Sequence, residues 1–285
     1  MSSNVTATMN RTHSMSSCFN PIARRISESF AYSLLFVVSL AANTFIGIIV
    51  YRTKALRTPI NILIVNMAIS ELLHPIFMFT RTLVELNMDN YWLISGHLGQ
   101  ALCKLSHFAT DVSTAVSIQS LLLIAVNRFV AVVFPHCYPL ISSKRCRFFI
   151  LVIWIFAMAV HCPYLIAFRV VEYSKGLFCQ WQWKEAFGES ISLQTYISVM
   201  ELIVVFCYVP LVVIIILYFA IALKTKSQKV PGEQSAAVRV QCLRREREIF
   251  FLAYSYCTVN PCICFIFSGN FRQGLKNLLS CSSTD

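Results

Sequence analysis

The chain has 285 residues, of which 57% are hydrophobic and 13% charged, and its mean hydropathy is +0.65; a soluble domain carries about 25% charged residues. A soluble globular fold is thereby excluded, and the composition is that of an all-α integral membrane protein. The formal net charge of +11 lies between apolar runs and not in one patch, which fits membrane topology and argues against a nucleic-acid partner.

Residues 1–29 are polar and rich in Ser and Thr, with no apolar core of a cleaved leader, so the first span is expected to act as its own insertion signal. Asn4-Val5-Thr6 and Asn10-Arg11-Thr12 both fit the glycosylation acceptor pattern, which predicts an extracellular tail, although Arg24 and Arg25 pull weakly the other way. The first span, residues 30–51, contains Asn43 and is followed by Arg52, Lys54 and Arg57, a cluster that marks the cytoplasmic side. The second, residues 59–79, holds Asn66 and the acid Glu71. A carboxylate in the membrane must be paired, hydrated, protonated or bound to a cation. The simpler reading is a Glu neutralised by protonation at a helix interface. Pro75 predicts a kink just beyond it.

The third span runs through residues 103–135. Between His107 and Phe134 its only full charges are Asp111 and Arg128, so about 16 uncharged residues at about 1.5 Å each keep both charges near the interfaces of a core about 30 Å thick. Ser113, Thr114, Ser117 and Ser120 punctuate this run, which predicts contacts with other helices and a central place in the bundle. Arg128 is read as functional, against the alternative of an interfacial arginine snorkelling to phosphates. The fourth span, residues 148–168, carries Trp154 and Pro163. After it, Ser174-Lys175-Gly176 between β-branched and aromatic runs predicts an external hairpin that would roof an internal cavity. The fifth span, residues 191–223, contains Pro210 and Tyr218 and is closed by Lys224, Lys226 and Lys229. A charged linker then leads to one last apolar run, residues 249–268, with Asn260-Pro261. Residues 269–285 place Phe271, Leu275, Leu278 and Leu279 opposite Arg272 and Lys276, as a cytoplasmic amphipathic helix on the membrane would, and Cys281 is a candidate acylation site there. A plain solvated tail is the alternative. The twelve cysteines include no CxxC pair and no metal-ligand spacing, and most read as small buried apolar residues. Only Cys103 and Cys179 sit where two external loops would place a disulfide.

In these residues the chain resembles the rhodopsin-like family of G-protein-coupled receptors. Asn43, Asn66 with Glu71, Cys103, Arg128, Trp154, Pro210, Tyr218 and Asn260-Pro261 stand in that family's order and spacing. The resemblance implies a transmembrane helical bundle over residues 30–268, packed at Asn43, Trp154 and Pro210, in a multi-pass plasma-membrane protein with its N-terminus outside. It further implies an activation switch made of Asn127-Arg128-Phe129, Tyr218, Asn260, Pro261 and Cys264, and a sodium-site-like acid at Glu71, with no other cofactor. Three positions depart from the family pattern: Asn127-Arg128-Phe129 replaces Asp-Arg-Tyr, Glu71 replaces Asp, and Cys264 replaces the Tyr of Asn-Pro-x-x-Tyr. Loss of the acid beside Arg128 implies raised basal activity, provided the remaining machinery is intact.

The count also departs. Six spans are visible where the family has seven, because nothing between Lys224 and Ile249 is apolar for the roughly 17 residues that a crossing needs. The sixth helix of the family is expected to be missing at the Glu248/Ile249 junction, through a skipped exon, a gene-model error or a deletion; the alternative is a native six-span protein. Thr110 stands where amine receptors carry an aspartate and Tyr254 where opsins carry the retinal lysine, so an amine or retinal is disfavoured. The hairpin with Trp181 and Trp183 resembles those of peptide receptors. The expected function is therefore signalling from an extracellular ligand, a neuropeptide in the first instance, to a heterotrimeric G protein by the full-length form. His107, Thr110, Asp111, Glu172, Trp181 and Tyr254 are the candidate ligand contacts, though packing or loop solvation accounts for them equally. Alternatives are a non-signalling six-span isoform that associates with full-length receptors, and a transporter, for which no repeat or paired intramembrane charges are visible. No nucleophile, base or HExxH spacing supports an enzyme.

Overall fold

The computed structural model describes residues 21–88, 91–137, 140–174, 176–183, 186 and 193–227. Asn4, Asn10, Tyr254, Asn260, Pro261, Cys264 and Cys281 lie outside the described residues, as do the Glu248/Ile249 junction, the last apolar run and the amphipathic tail. Within them the protein is a helical bundle with five helices long and apolar enough to cross a membrane.

Helix α1, Pro21–Arg52, starts ahead of the predicted residue 30. Its exposed face carries Phe30, Leu34 and Val37, as expected for a helix with lipid on one side. A short 3-10 turn, Lys54–Leu56, leads to α2, Pro59–His74. Thr58 caps α2 by accepting from the Asn61 N–H at 3.4 Å, and Pro59 takes the first-turn position, where a missing N–H costs nothing. Pro75 cannot donate to the Glu71 carbonyl, and the predicted kink is realised as a π-helical turn over Pro75–Phe79. Helix α3, Thr80–Asn87, continues the same rod, which therefore reaches beyond the predicted residue 79.

Helix α4, Gly96–Val133, is the hub. It packs against α2, against α5 (Ser143–His161), against the one-turn α6 (Tyr164–Ala167) and against α7 (Leu193–Ser227). Ala115, Val116 and Ala125 are fully buried on it. Every small polar residue picked out in its sequence does meet another helix: Ser113 donates to the Ser70 carbonyl, Thr114 lies 3.5 Å from His74, Ser117 3.0 Å from Ser70, and Ser120 2.9 Å from Asn66. These short side chains let α2 and α4 approach closely while satisfying one another.

Strands β1 (Phe168–Tyr173) and β2 (Gly176–Trp181) form the expected antiparallel hairpin, with Val170 opposite Cys179. Gly176 closes the turn at φ +146°, and a Cβ there would come within 2.6 Å of the Tyr91 ring, so only glycine fits. The Trp92 N–H donates to the Leu177 carbonyl at 2.7 Å and covers the outer edge of β2.

Pro210 lies inside α7 and removes the N–H that would serve the Phe206 carbonyl. The Gln119 side-chain amide of α4 donates to that carbonyl at 2.9 Å. An orphaned backbone acceptor thus becomes a tie between two helices.

Candidate functional site

The upper third of the bundle is assembled on α4. Cys103, fully buried, is bonded to Cys179 of β2, with Cα atoms 5.7 Å apart, as the loop placement required. Gln100, one turn higher, clamps β1 with both ends of its amide: Nε2 donates to the Phe168 carbonyl at 3.1 Å and Oε1 accepts from the Val170 N–H at 2.9 Å. The hairpin is therefore fixed to α4 by a covalent bond and two hydrogen bonds.

His107 stacks on Phe168 with ring centroids 3.7 Å apart and planes 10° from parallel. Arg81 of α3 reaches it, with Nη1 2.7 Å from Nδ1. Guanidinium groups only donate, so the imidazole accepts. Arg81 also pairs with Glu85 at 3.5 Å. Sequence reasoning missed Arg81 because the second span was ended at residue 79; an arginine two residues beyond an apolar run was the available signal. Trp181 packs edge-on against Phe168 and Tyr164, at 5.0 and 5.1 Å, and stacks with Trp183 at 5.9 Å. Glu172 is exposed on β1, and the buried Thr110 bonds back to the Ser106 carbonyl at 2.7 Å.

Below this roof lies a cavity of about 400 Å³, bounded by Asp111 and Thr114 of α4, His161 of α5, and Ile203, Cys207 and Tyr208 of α7. Asp111 is the one predicted ligand contact among these lining residues. His107 and Trp181 form the roof, whereas Thr110 and Glu172 do not line the cavity. His161 was not anticipated: neutral polar residues in an apolar run give no sequence signal of which face they take.

Midway down, Asn66 links three helices. Its Nδ2 donates to Ser120 Oγ at 2.9 Å, and its Oδ1 accepts from Trp154 Nε1 at 2.9 Å. Glu71, 1% exposed, accepts from Ser117 Oγ at 3.3 Å. One turn above it, the buried His74 lies 3.0 Å from Met78 Sδ and within electrostatic reach of both Asp111 and Arg81. Polar side chains thus run from the cavity to the centre of the membrane. Asn43 is buried in α1 and bonds to the Ser39 carbonyl at 3.0 Å.

At the opposite end of α4 Asn127 is buried and Arg128 exposed, with no ion pair to Arg128 among the described residues. Tyr218 is buried with Met67, Leu121, Ala125, Ile214 and Ile221, and Phe129 packs on the same cluster. The Tyr218 hydroxyl lies within electrostatic reach of Arg128. The structure thus brings together Arg128, Phe129 and Tyr218 of the predicted switch.

Comparison with known proteins gives this arrangement its family. Residues 42–259 match the family described as 7 transmembrane receptor (rhodopsin family). Similar proteins include the QRFP-like peptide receptor of Branchiostoma floridae, 29% identical over 80% of the chain and 59% of that protein. Neuropeptide FF receptor 1 of Rattus norvegicus is 32% identical over 68% of the chain and 45% of that protein. Neuropeptide receptor 22 of Caenorhabditis elegans is 30% identical over 76% and 50%, so the chain spans only part of the length of each relative. The family is one of receptors and not of enzymes, and this multi-pass membrane chain with its tethered hairpin belongs to the rhodopsin family of seven-transmembrane receptors.

Proposed function

We propose that the protein is a receptor for an extracellular neuropeptide which, in its full-length form, activates a heterotrimeric G protein. The observation that carries this reading is the cavity under the disulfide-tethered hairpin, acidic at Asp111 and joined by polar residues to the layer around Glu71. The relatives, named as receptors for peptides, support it. A peptide that favours one helix arrangement shifts the population by its differential affinity, and the change is read at Arg128, Phe129 and Tyr218. The N-terminus is outside the plasma membrane, with glycans on Asn4 and Asn10. The remaining switch residues are Asn127, Asn260, Pro261 and Cys264, and Cys281 carries an acyl chain beneath the bundle.

Glu71 and Ser117 offer only oxygen to their surroundings, the donor type that a hard cation prefers. These residues fit a sodium ion, which Glu71 and the Ser117 hydroxyl would hold. Such an ion would supply positive charge beside the Glu71 carboxylate.

The test is to express the chain with and without a supplied sixth helix at the Glu248/Ile249 junction, apply neuropeptide FF, neuropeptide Y and QRFP-like peptides, and record G-protein activation by energy transfer. A response from the completed form supports the reading, with basal signal above that of its Asn127→Asp variant and with sodium sensitivity lost in Glu71→Gln. Silence of a completed form that reaches the cell surface, both to these peptides and to a broad peptide panel, sinks it. The absence of any long apolar run between Lys224 and Ile249 favours a second reading of the chain as it stands, a non-signalling partner that retains full-length receptors. Co-expression that leaves full-length surface levels unchanged removes that reading.

A further inference from the structure

The Asp111 cavity has an unusual polar balance. Asp111 is half-buried, lies within a membrane-spanning helix, and makes no hydrogen bond or ion pair among the described residues. A carboxylate at this depth needs a counter-charge, a proton or water. Among the described lining residues no Lys or Arg supplies the charge. His161, 1% exposed, has Nδ1 2.8 Å from the Ala157 carbonyl. A carbonyl only accepts, so Nδ1 bears a proton, and in the neutral ring Nε2 is an acceptor. Thr114 adds a hydroxyl, and among the described residues neither Lys nor Arg lines the space. Arg81, at the roof, is already engaged with Glu85 and His107. The described lining is therefore rich in acceptors and carries no Lys or Arg, and the volume of about 400 Å³ lies within the roughly 300–1,000 Å³ of small-molecule sites.

We propose that Asp111 is the anchor for one basic group of the ligand, a guanidinium or ammonium that enters the cavity between α4, α5 and α7, with His161 Nε2 and Thr114 Oγ as neutral acceptors and Tyr208 at the side. Guanidinium and ammonium groups are donors only, so they match this lining where a carboxylate or an amide carbonyl does not. A guanidinium also lies flat against an aromatic ring, which Tyr208 provides. The proposal names the ligand chemistry of the site described above and rests on its being the receptor's binding cavity. It also separates this chain from the amine-receptor pattern: the acid stands at 111 and not at 110, and one residue turns a helix by about 100°, so Asp111 faces α5 and α7 while Thr110 turns back on its own helix.

Cys207 lines the same cavity and lies within electrostatic reach of Asp111, which provides a reporter independent of signalling. The full chain in lipid nanodiscs is treated with a cationic trimethylammonium-ethyl or an anionic sulfonatoethyl methanethiosulfonate. Modification is read at Cys207 by peptide mass spectrometry, with the exposed Cys162 as internal standard. Relative to Cys162, the cationic reagent is expected to react with Cys207 on the order of tenfold faster than the anionic one. The ratio should fall to near one in Asp111→Asn and persist in Asp111→Glu. An intact Cys103–Cys179 disulfide certifies the fold of each variant, and Asp111→Ser replaces Asp111→Asn if the latter fails that check.

N-acetylarginine amide should protect Cys207 from modification, whereas its neutral isostere N-acetylcitrulline amide should not. A wild-type ratio near one, a ratio unchanged on removing the charge, or equal protection by the two amides overturns the anchor. Stronger protection by phenethylamine than by the arginine amide, lost in Asp111→Asn, supports the anchor but overturns the peptide as its source.

Discussion

Gln119 shows how a single side chain repairs the damage done by another. Pro210 deprives the Phe206 carbonyl of its helical donor, and Gln119 supplies one from a neighbouring helix. A buried acceptor left unmade costs about 1–3 kcal/mol. Gln119→Leu, close in size but without a donor, is expected to destabilise the protein by about that amount, lowering its melting temperature in detergent. The same substitution in a Pro210→Ala background should cost much less, because the restored N–H of residue 210 serves the carbonyl within α7. Equal losses in both backgrounds would show that Gln119 acts through packing alone. Asn66 works differently, accepting from Trp154 and donating to Ser120, so three helices share one amide.

Residues like these mark the boundary of what the sequence discloses. Polar residues inside apolar runs, such as Asn66, Glu71, Ser113 and Ser117, announce an interhelical contact because lipid will not accept them. Their partners are set by helix rotation and axial register, which no local pattern encodes. The roles of Gln119, His161 and Gln100 are hidden in the sequence for that reason. Arg81 is hidden for another: it lies past the apolar run of residues 59–79, whereas the rod continues through α3 and keeps the arginine beside His107. Cys103 and Cys179 were legible because topology leaves them together on one side. Tyr254, Asn260, Pro261 and Cys264, which complete the expected site, lie outside the described residues.

At the level of elements, the hairpin gains its position from α4 and not from its own stability. Two strands alone are marginal in water, yet this pair is held by Cys103, by both ends of the Gln100 amide and by the stack of His107 on Phe168. Cys179→Ser is expected to cost about 2–5 kcal/mol and to loosen the roof first, which hydrogen exchange would show as faster exchange at Val170 and Phe178 than in the α2–α4 seam. Uniform acceleration across both regions would instead mean that the disulfide stabilises the whole bundle. The π-helical turn over Pro75–Phe79 has a similar logic: proline breaks the ladder, and the chain accommodates the break without leaving the helical path.

Across the described part of the molecule, α4 packs against α2, α5, α6, α7 and β1 and carries both the roof and the inner end of the site. Its 38 residues run from Gly96 to Val133, about 57 Å at 1.5 Å per residue. That length exceeds a hydrocarbon core of about 30 Å, so the helix extends beyond it. The proposed orientation rests on Arg52, Lys54 and Arg57 after α1 and Lys144, Arg145 and Arg147 at the start of α5. With these ends in the cytoplasm, Asn4 and Asn10 would be exposed to the glycosylation machinery. Two glycans should therefore be lost, one with each of Asn4→Gln and Asn10→Gln, on gel mobility after expression in membranes of the secretory pathway. A chain that runs unglycosylated in both forms, with its N-terminus accessible to protease from the cytoplasmic side, would reverse the proposed orientation.

The tether between Cys103 and Cys179 bears on time as well as on shape. Asp111 lies eight residues below Cys103 on the same helix, about 12 Å down its axis, so the fixed hairpin stands over the shaft that leads to the carboxylate. If a ligand binds at Asp111 as proposed, an occupant leaving on the hairpin side cannot lift this cover and must pass beside it, where the rings of Phe168, Trp181 and Tyr164 pack on one another. Its escape by that route, and hence the duration of each occupied episode, would follow how often those rings part. Two ligands that bind Asp111 equally well can still differ widely in how long they stay.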